Sequence, residues 1–300
     1  MASSPAISVY MPAFNVARFI RSSVQSILDQ TFTDFEFIII DDGSTDETPS
    51  ILREFASRDR RIRLLQCPHQ SVAAAANEAI RHCRAPLVAR TDGDDIALPQ
   101  RLEKQHRFMQ EHPECVALGS LVLLIDEQDV PLFTMPDTQL GHDAIDAGLL
   151  QGGWPISQTA CMYRRDALEA TGGYNAKLNM HEDHELFLRL AELGRLENLP
   201  EVLQHYRQHP SSTSFRSAWQ SQTIMPQLLA EARQRRGLPA REWKYVGVPR
   251  RPVERMRWWA WMSLKSGNVR GARKYARQSL QHAPLSTDSW RLMYCALRGY

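Results

Sequence analysis

Three acidic clusters and one cationic loop are the residues best suited to do chemistry. Asp41-Asp42-Gly43-Ser44 closes a largely apolar run, Phe35 to Ile40. Asp92-Gly93-Asp94-Asp95 follows a shorter run, Leu87 to Ala89. A glycine separates Asp92 from Asp94, so both carboxylates can turn toward one ion. Hard oxygen ligands suit Mg²⁺ or Mn²⁺, which leave positions open for substrate phosphates. A plainer reading makes Asp41, Asp46 and Asp95 turn formers or helix N-caps. The place of both clusters, each just after a strand-like run, favours a function.

The third cluster, His181-Glu182-Asp183-His184-Glu185, precedes Leu186, Leu190 and Leu193 at helical spacing. It therefore opens a helix, and acidic residues there also have a simple dipole explanation. His181 and His184 are spaced to share a zinc ion, but no cysteine or third histidine lies close in sequence. The cationic loop is Tyr206-Arg207-Gln208-His209, after the apolar segment around Val202 and Leu203. It puts a cation and an imidazole after a strand-like run, or is simply an ordinary polar loop.

The elements that must position these residues follow from the apolar pattern. Ile7 to Met11, Phe35 to Ile40, Ile62 to Gln66 and Leu87 to Ala89 read as buried strands. Between them lie helical patterns: one through Phe19, Ile20, Val24, Ile27 and Leu28, one over Thr48 to Ala56, and an alanine-rich one over Val72 to Cys83. Such alternation predicts an α/β fold with a largely parallel sheet flanked by helices. In open α/β sheets ligands bind beyond the carboxyl ends of strands, which places the first two acidic clusters on one edge. Neither glycine-rich phosphate fingerprint is present, so bound phosphates would need another partner, such as a cation on carboxylates.

Composition narrows the class. The 300 residues are 43% apolar and 23% charged, which excludes disorder and fibrous repeats. No run approaches a bilayer span, and Met1 to Val9 does not read as a signal peptide. Five dispersed cysteines argue against a disulfide framework and for a reducing, cytoplasmic setting. The net charge of +2 conceals a division: residues 1–215 sum to −11 and residues 216–300 to +13. The acidic part would repel nucleic acid, and none is expected as a partner.

Taken together in order, these pieces resemble the family 2 glycosyltransferases of the GT-A, Rossmann-like fold, over about residues 5–215. Val9-Tyr10-Met11-Pro12-Ala13-Phe14-Asn15 resembles the opening strand, and Gln30-Thr31-Phe32 the approach to the second. Ile40 to Asp46 resembles the nucleotide-binding turn. Asp92-Gly93-Asp94-Asp95 with Pro99-Gln100-Arg101-Leu102 resembles the D-x-D segment and its helix. Gly172-Gly173-Tyr174, Glu182-Asp183 and Leu188-Arg189-Leu190 resemble the acceptor side. Tyr206 to His209, with Ser212 and Ser214, resembles the closing loop.

The resemblance implies roles. Pro12, Asp41, Asp42, Asp92 and Arg207 would bind the donor, with Asp42 on the base and Asp92 on the ribose or sugar. Asp94 and His209 would serve the metal, Mg²⁺ or Mn²⁺, and Asp183 would be the catalytic base. A sugar would pass from a nucleotide donor, UDP-linked by family expectation, to an acceptor hydroxyl with inversion. The setting implied is synthesis of bacterial-type surface polysaccharide or glycolipid. Two departures stand out. Ala75-Ala76-Asn77 replaces the A-R-N frequent in relatives, and Trp154 to Thr159 carries no histidine. A catalytically impaired shell that binds nucleotide sugars or polyanions is the alternative these departures raise.

The expected organisation is a catalytic domain over 1–215, a helical linker over 216–249 marked by Gly237-Leu238-Pro239 and Gly247-Val248-Pro249, and a basic helical extension over 250–300. The extension carries a net +9 and places Trp258, Trp259 and Trp261 beside Arg255, Arg257 and Lys265. Its small-residue pattern vaguely resembles a single tetratricopeptide-like hairpin, which needs a neighbour to bury its face. It would either pack on the catalytic domain or lie on the inner face of a membrane, near a lipid-linked acceptor.

Overall fold

The computed structural model describes residues 4–178, 180–209, 212, 221–243 and 251–300. Met1 to Ser3, Ser214, the stretch 216–220 and the Gly247-Val248-Pro249 breaker lie outside the described residues. The strands are β1 (Ile7–Ala13), β2 (Phe35–Asp41), β3 (Ile62–Gln66), β4 (Leu87–Arg90), β5 (Ile96–Ala97), β6 (Cys115–Asp126), β7 (Pro131–Thr134), β8 (Met162–Arg164) and β9 (Arg195–Gln208). The helices are α1 (Ile20–Leu28), α2 (Thr48–Arg58), α3 (Val72–His82), α4 (Arg101–Glu111), α5 (His142–Leu149), α6 (Arg165–Thr171), α7 (Glu182–Leu190), α8 (Ser221–Arg235), α9 (Pro252–Lys265), α10 (Val269–His282) and α11 (Thr287–Arg298).

The chain divides into two compact units. The first comprises Met1–Val122, Asp137–His205 and Gln220–Trp243; the second comprises Leu123–Pro136, Tyr206–Trp219 and Lys244–Tyr300. The strands run in the order β3-β2-β1-β4-β8-β6-β9-β5, with β7 paired to β6. The expected parallel arrangement holds for β3, β2, β1 and β4. Beyond them β8 pairs antiparallel with β4 and β6, β7 with β6, and β5 with β9, so the complete sheet is mixed.

Continuous apolar strands arise because helices cover both faces of the parallel half. Val9, Met11, Phe37 and Ile39 join Ile20, Val24, Ile27, Ile51 and Leu52 of α1 and α2 in one cluster. Tyr10, Ile38 and Ile40 point the other way and join the alanines of α3. Burying each large side chain contributes about 1.5–3 kcal/mol, and small alanines let α3 sit close to the sheet. One charge interrupts β2. Glu36 is buried, accepts hydrogen bonds from Ser8 Oγ at 2.7 Å and Arg84 N at 2.8 Å, and pairs with the Arg84 and Arg63 guanidiniums. Burial pushes its carboxyl up, but Ser8 and Arg84 overcome this and leave it below its ordinary range.

The second unit is built on β7 and three helices. Trp259, Leu264, Ala272, Tyr275, Ala276, Leu292 and Ala296 form one apolar cluster with Leu132 and Phe133 of β7. Gly271 lets α10 approach: a Cβ there would stand 2.6 Å from the Pro131 carbonyl oxygen. Gly267, at φ +74°, turns the chain between α9 and α10, so the small-residue pattern does mark a helical hairpin. A further helix, α11, closes on it. The tryptophans are largely spent on packing: Trp259 is buried and Trp258 stands edge-on to Phe133 at 5.0 Å. Asp126, fully buried, accepts from Tyr275 Oη at 3.0 Å and from the Gln128 and Val130 amides, and pairs with Lys274.

Candidate active site

Strands β2 and β4 flank β1 and run parallel to it, so their carboxyl ends share one edge. Pro12, opposite Ile40 in register, lies at that edge and is half-buried. Asp41 and Asp42 are both buried. Asp41 accepts hydrogen bonds from Ser44 N at 3.1 Å and Gln66 Nε2 at 3.2 Å. Asp42 accepts from Gln70 N at 3.0 Å and meets His69 Nδ1 at 2.9 Å. Burial raises the Asp42 carboxyl, partly offset by Gln70 and His69. His69 in turn stacks on Phe14 at 3.9 Å, with 13° between the ring planes. Gly43 makes the turn possible: its φ is +73°, and a Cβ would stand 2.6 Å from His69 N. Asp46, by contrast, serves the turn and helix start, accepting from Ala17 N and Thr48 N.

At the end of β4 the chain places Arg90, almost wholly buried, directly before the acidic cluster. Arg90 Nε donates to Asp92 Oδ1 at 2.9 Å, and the guanidinium lies over the Tyr174 ring at 5.3 Å. Its Nη1 is buried without a hydrogen-bond partner among the described residues. A charged donor left unsatisfied in a protein interior is costly and rare. Burial and the charge of Asp94 push the Asp92 carboxyl up, against the pull of Arg90. Asp94 is half-buried, two residues on. Asp95 is fully buried and accepts from Thr159 Oγ1 at 2.5 Å, a structural role.

Helix α7 begins at the acidic cluster, after His181 in the left-handed region at φ +62°. Glu182 is buried and Asp183 half-buried. Asp183 Oδ1 accepts from its neighbour His184 N at 2.8 Å. Burial and the adjacent Asp183 push Glu182 up to about 7. Burial raises Asp183 as well, opposed by His184 N and by the charge of Arg90. The field of Arg90 thus reaches both carboxylates. His184 Nε2 meets the Leu149 carbonyl at 3.0 Å, and burial lowers the imidazole to about 4, which keeps it neutral. Among the described residues no group of three or more His, Cys, Asp or Glu side chains forms a ready cage for an ion.

Arg207 and His209 both lie in the second unit and are both buried. Arg207 Nη1 donates to Asp129 Oδ1 at 2.6 Å and to the Asp126 carbonyl at 3.2 Å. It therefore braces the turn between β6 and β7.

The sequence of the segment 8–172 matches the model of glycosyl transferase family 2. The chain belongs to that family. Among its relatives, EpsE of Bacillus subtilis (strain 168), which carries a glycosyltransferase description, is 32% identical over 255 residues, covering 83% of this chain and 89% of EpsE. The O-antigen biosynthesis glycosyltransferase WbnJ of Escherichia coli is 31% identical over 211 residues, covering 69% of this chain and 81% of WbnJ. Solved GT-A glycosyltransferases share the fold. S. aureus TarS 1-349, crystallised with UDP-GlcNAc, superposes with TM-score 0.60 at 15% identity, covering 97% of this chain and 79% of TarS 1-349. The mannosyltransferase PcManGT of Pyrobaculum calidifontis, solved with GDP-Man and Mn²⁺, gives TM-score 0.56 at 19% identity, covering 100% and 82%.

Against this family background the departures acquire physical reasons. Ala76 is fully buried and packs in the apolar cluster that α3 shares with Tyr10, Ile38 and Ile40. Asn77 keeps a structural role, because its side chain bonds both the amide and the carbonyl of Tyr174, each at 2.8 Å. That contact fixes Gly173-Tyr174, and Tyr174 Oη meets Tyr10 Oη at 2.8 Å. Sequence reasoning passed over Arg90, His69 and Gln70. A cation two residues before an acidic strand end was the available signal for Arg90. Nothing in the sequence ties His69 to Asp42, since a strand separates them.

Proposed function

We propose that this family 2 glycosyltransferase moves a sugar from a nucleoside diphosphate, UDP-linked, to an acceptor hydroxyl with inversion, in the making of surface polysaccharide or glycolipid. One observation carries the reading: beyond the carboxyl end of β4, the buried Arg90 pairs with Asp92 and its field reaches Glu182 and Asp183 at the start of α7, with Asp94 acting on Asp92. The nucleotide sugars held by TarS and PcManGT, and the O-antigen role in the name of WbnJ, support it.

Asp42, with Asp41 behind it, holds the base, Pro12 lines the same edge, and Asp92 contacts the ribose or sugar. Arg90 keeps Asp92 oriented and sets positive charge beside the carboxylates. Asp183 takes the proton from the acceptor hydroxyl as the new glycosidic bond forms and the bond to the diphosphate breaks. With a single base and no protein nucleophile, displacement occurs once and inverts the anomeric carbon. Glu182, protonated up to near neutrality, spares Asp183 a second negative neighbour. The donor set fits Mg²⁺ or Mn²⁺: hard carboxylate oxygens on Asp94, with Asp92 adjacent, suit an ion whose other ligands come from substrate phosphates and water. Such an ion supplies Lewis acidity toward the leaving diphosphate. By family resemblance Arg207 is assigned to the donor and His209 to the metal.

The test is nucleoside diphosphate release from a panel of donors, with and without Mn²⁺, in the wild type and in Asp183→Asn. The amide keeps the shape and removes the proton acceptor. Transfer is expected to fall about a hundredfold or more while calorimetry shows unchanged diphosphate binding. Undiminished turnover in Asp183→Asn would remove the base assignment. No release from any donor would favour the alternative, a shell that binds nucleotide sugars without turning them over.

A further inference from the structure

The last helix of the second unit is packed on one side only. Ser289, Leu292 and Ala296 face inward and are buried. On the opposite side Trp290, Tyr294 and Leu297 recur at i, i+4 and i+7 and are 58%, 54% and 62% exposed. Tyr300 continues the stripe at 66% exposure. Arg291 and Arg298 are exposed beside it, and the Arg298 guanidinium lies over the Tyr294 ring at 4.6 Å. Helix α10 adds a basic row: Arg270, Arg273 and Arg277, all exposed, fall on one face. Arg273 donates to the Ala296 and Leu297 carbonyls at 3.1 and 3.0 Å, so this row runs alongside the apolar stripe. None of these five arginines has a carboxylate partner among the described residues.

We propose that this face of α11, flanked by the α10 arginines, is a docking surface for an anionic lipid bilayer. Trp and Tyr favour the headgroup level, and arginines carry long apolar stems with charged tips, so the combination matches an interface rather than water. The charge is complementary to acidic headgroups: residues 250–300 carry 11 Lys+Arg against 2 Asp+Glu. A second copy of the chain is the weaker occupant, because two such faces would oppose arginine to arginine. Contact is peripheral, since among the described residues no helix is long and apolar enough to cross a membrane. The surface is not the cluster of Trp258, Trp259 and Trp261 to which the sequence pointed, because those rings pack within the unit.

The experiment is flotation of the full chain with vesicles of phosphatidylglycerol and phosphatidylcholine, against pure phosphatidylcholine, at low and physiological salt. The wild type is expected to co-float with the anionic vesicles only, less so at higher salt. Arg291→Gln with Arg298→Gln is expected to weaken partition about 25-fold, at about fivefold per charge lost near the surface. Trp290→Ser with Leu297→Ser should abolish it. All four positions are exposed, and the hydrogen bonds lost, Trp290 Nε1 to the Pro284 carbonyl at 2.8 Å and Arg298 Nη1 to Tyr300 Oη at 2.6 Å, lie at the surface, so melting curves should stay close to those of the wild type and donor turnover in solution should not change. Absence of flotation by the wild type at low salt would overturn the proposal. So would wild-type partition in both double variants, or a dimer in sedimentation that the serine variant dissolves while vesicle binding persists. The readout involves no sugar transfer, so its failure is distinct from failure of the proposed activity.

Discussion

Replacing Glu182 by glutamine should change how stability depends on pH. In the unfolded chain a glutamate gives up its proton near its ordinary value of 4.5; in the folded protein Glu182 holds it to about 7. Between those limits the folded state binds a proton that the unfolded state has released, so stability falls as pH rises. The interval spans about two and a half pH units at about 1.4 kcal/mol each, an order-of-magnitude cost of about 3 kcal/mol fully present above neutrality. The cause is burial, with the charge of Asp183 adding to it and Arg90 opposing it. Glu182→Gln keeps size and shape and removes the charge. The variant should match the wild type at about pH 4.5 and exceed it by up to about 3 kcal/mol at about pH 8. Some slope will remain, because Asp183 is raised too. Urea unfolding across that range, in chelator and without donor, measures the difference. Parallel curves for the two proteins would refute the argument.

Asp94→Ala is expected to abolish transfer, and excess chelator should do the same to the wild type; full turnover in chelator would remove the metal from the mechanism. Gly43→Ala forces a Cβ to 2.6 Å from a backbone nitrogen at a left-handed φ of +73°. It should cost about 2 kcal/mol of stability by thermal melting, and should weaken nucleotide binding by calorimetry, because His69 and Gln70 hold Asp42. Lys274→Met leaves Asp126 buried without its cation and should destabilise the second unit by about 3 kcal/mol or more in urea. Burial pushes Asp126 up but Lys274 and the Gln128 and Val130 amides hold it below the ordinary range, so the stability it contributes is lost as pH falls. The acid limb of unfolding should accordingly be shallower in the variant.

The first half of the fold was legible because β1, β2 and β4 are buried on both faces and so read as largely apolar runs. The second half was not. β6 is longer and more continuous than any other strand except β9, yet Cys115–Asp126 contains Gly119 and Ser120 in its middle, which dilute the signal. β5 is two residues long and β8 three, too short for any period to show. In the site, the carboxylates were legible because charge at the end of an apolar run is conspicuous. Arg90 ends β4, one residue past the apolar run Leu87 to Ala89, and a lone cation there carries no local sign that it is buried. The state of Glu182 depends on depth of burial, which no local pattern encodes. Arg207 was legible as a cation but not as the partner of Asp129, which lies 78 residues earlier.

Glu36 has a consequence for the chain before it folds. Phe35 to Ile40 is β-prone, strongly apolar and free of proline, the composition from which stacked, self-complementary sheets assemble. The parallel core it belongs to closes only after distant segments meet, so the stretch is exposed during synthesis and refolding. Stacked in register, copies would bring identical carboxylates of Glu36 and Asp41 within about 4.8 Å of one another along the fibril axis. In the native fold Ser8, Arg63 and Arg84 neutralise the first, and Gln66 and Ser44 engage the second. The same two charges are thus tolerated in one assembly and repelled in the other. An uncharged residue at position 36 would lose a solubility safeguard along with a buried ion pair, and its damage would be seen in the yield of soluble protein before it was seen in any melting curve.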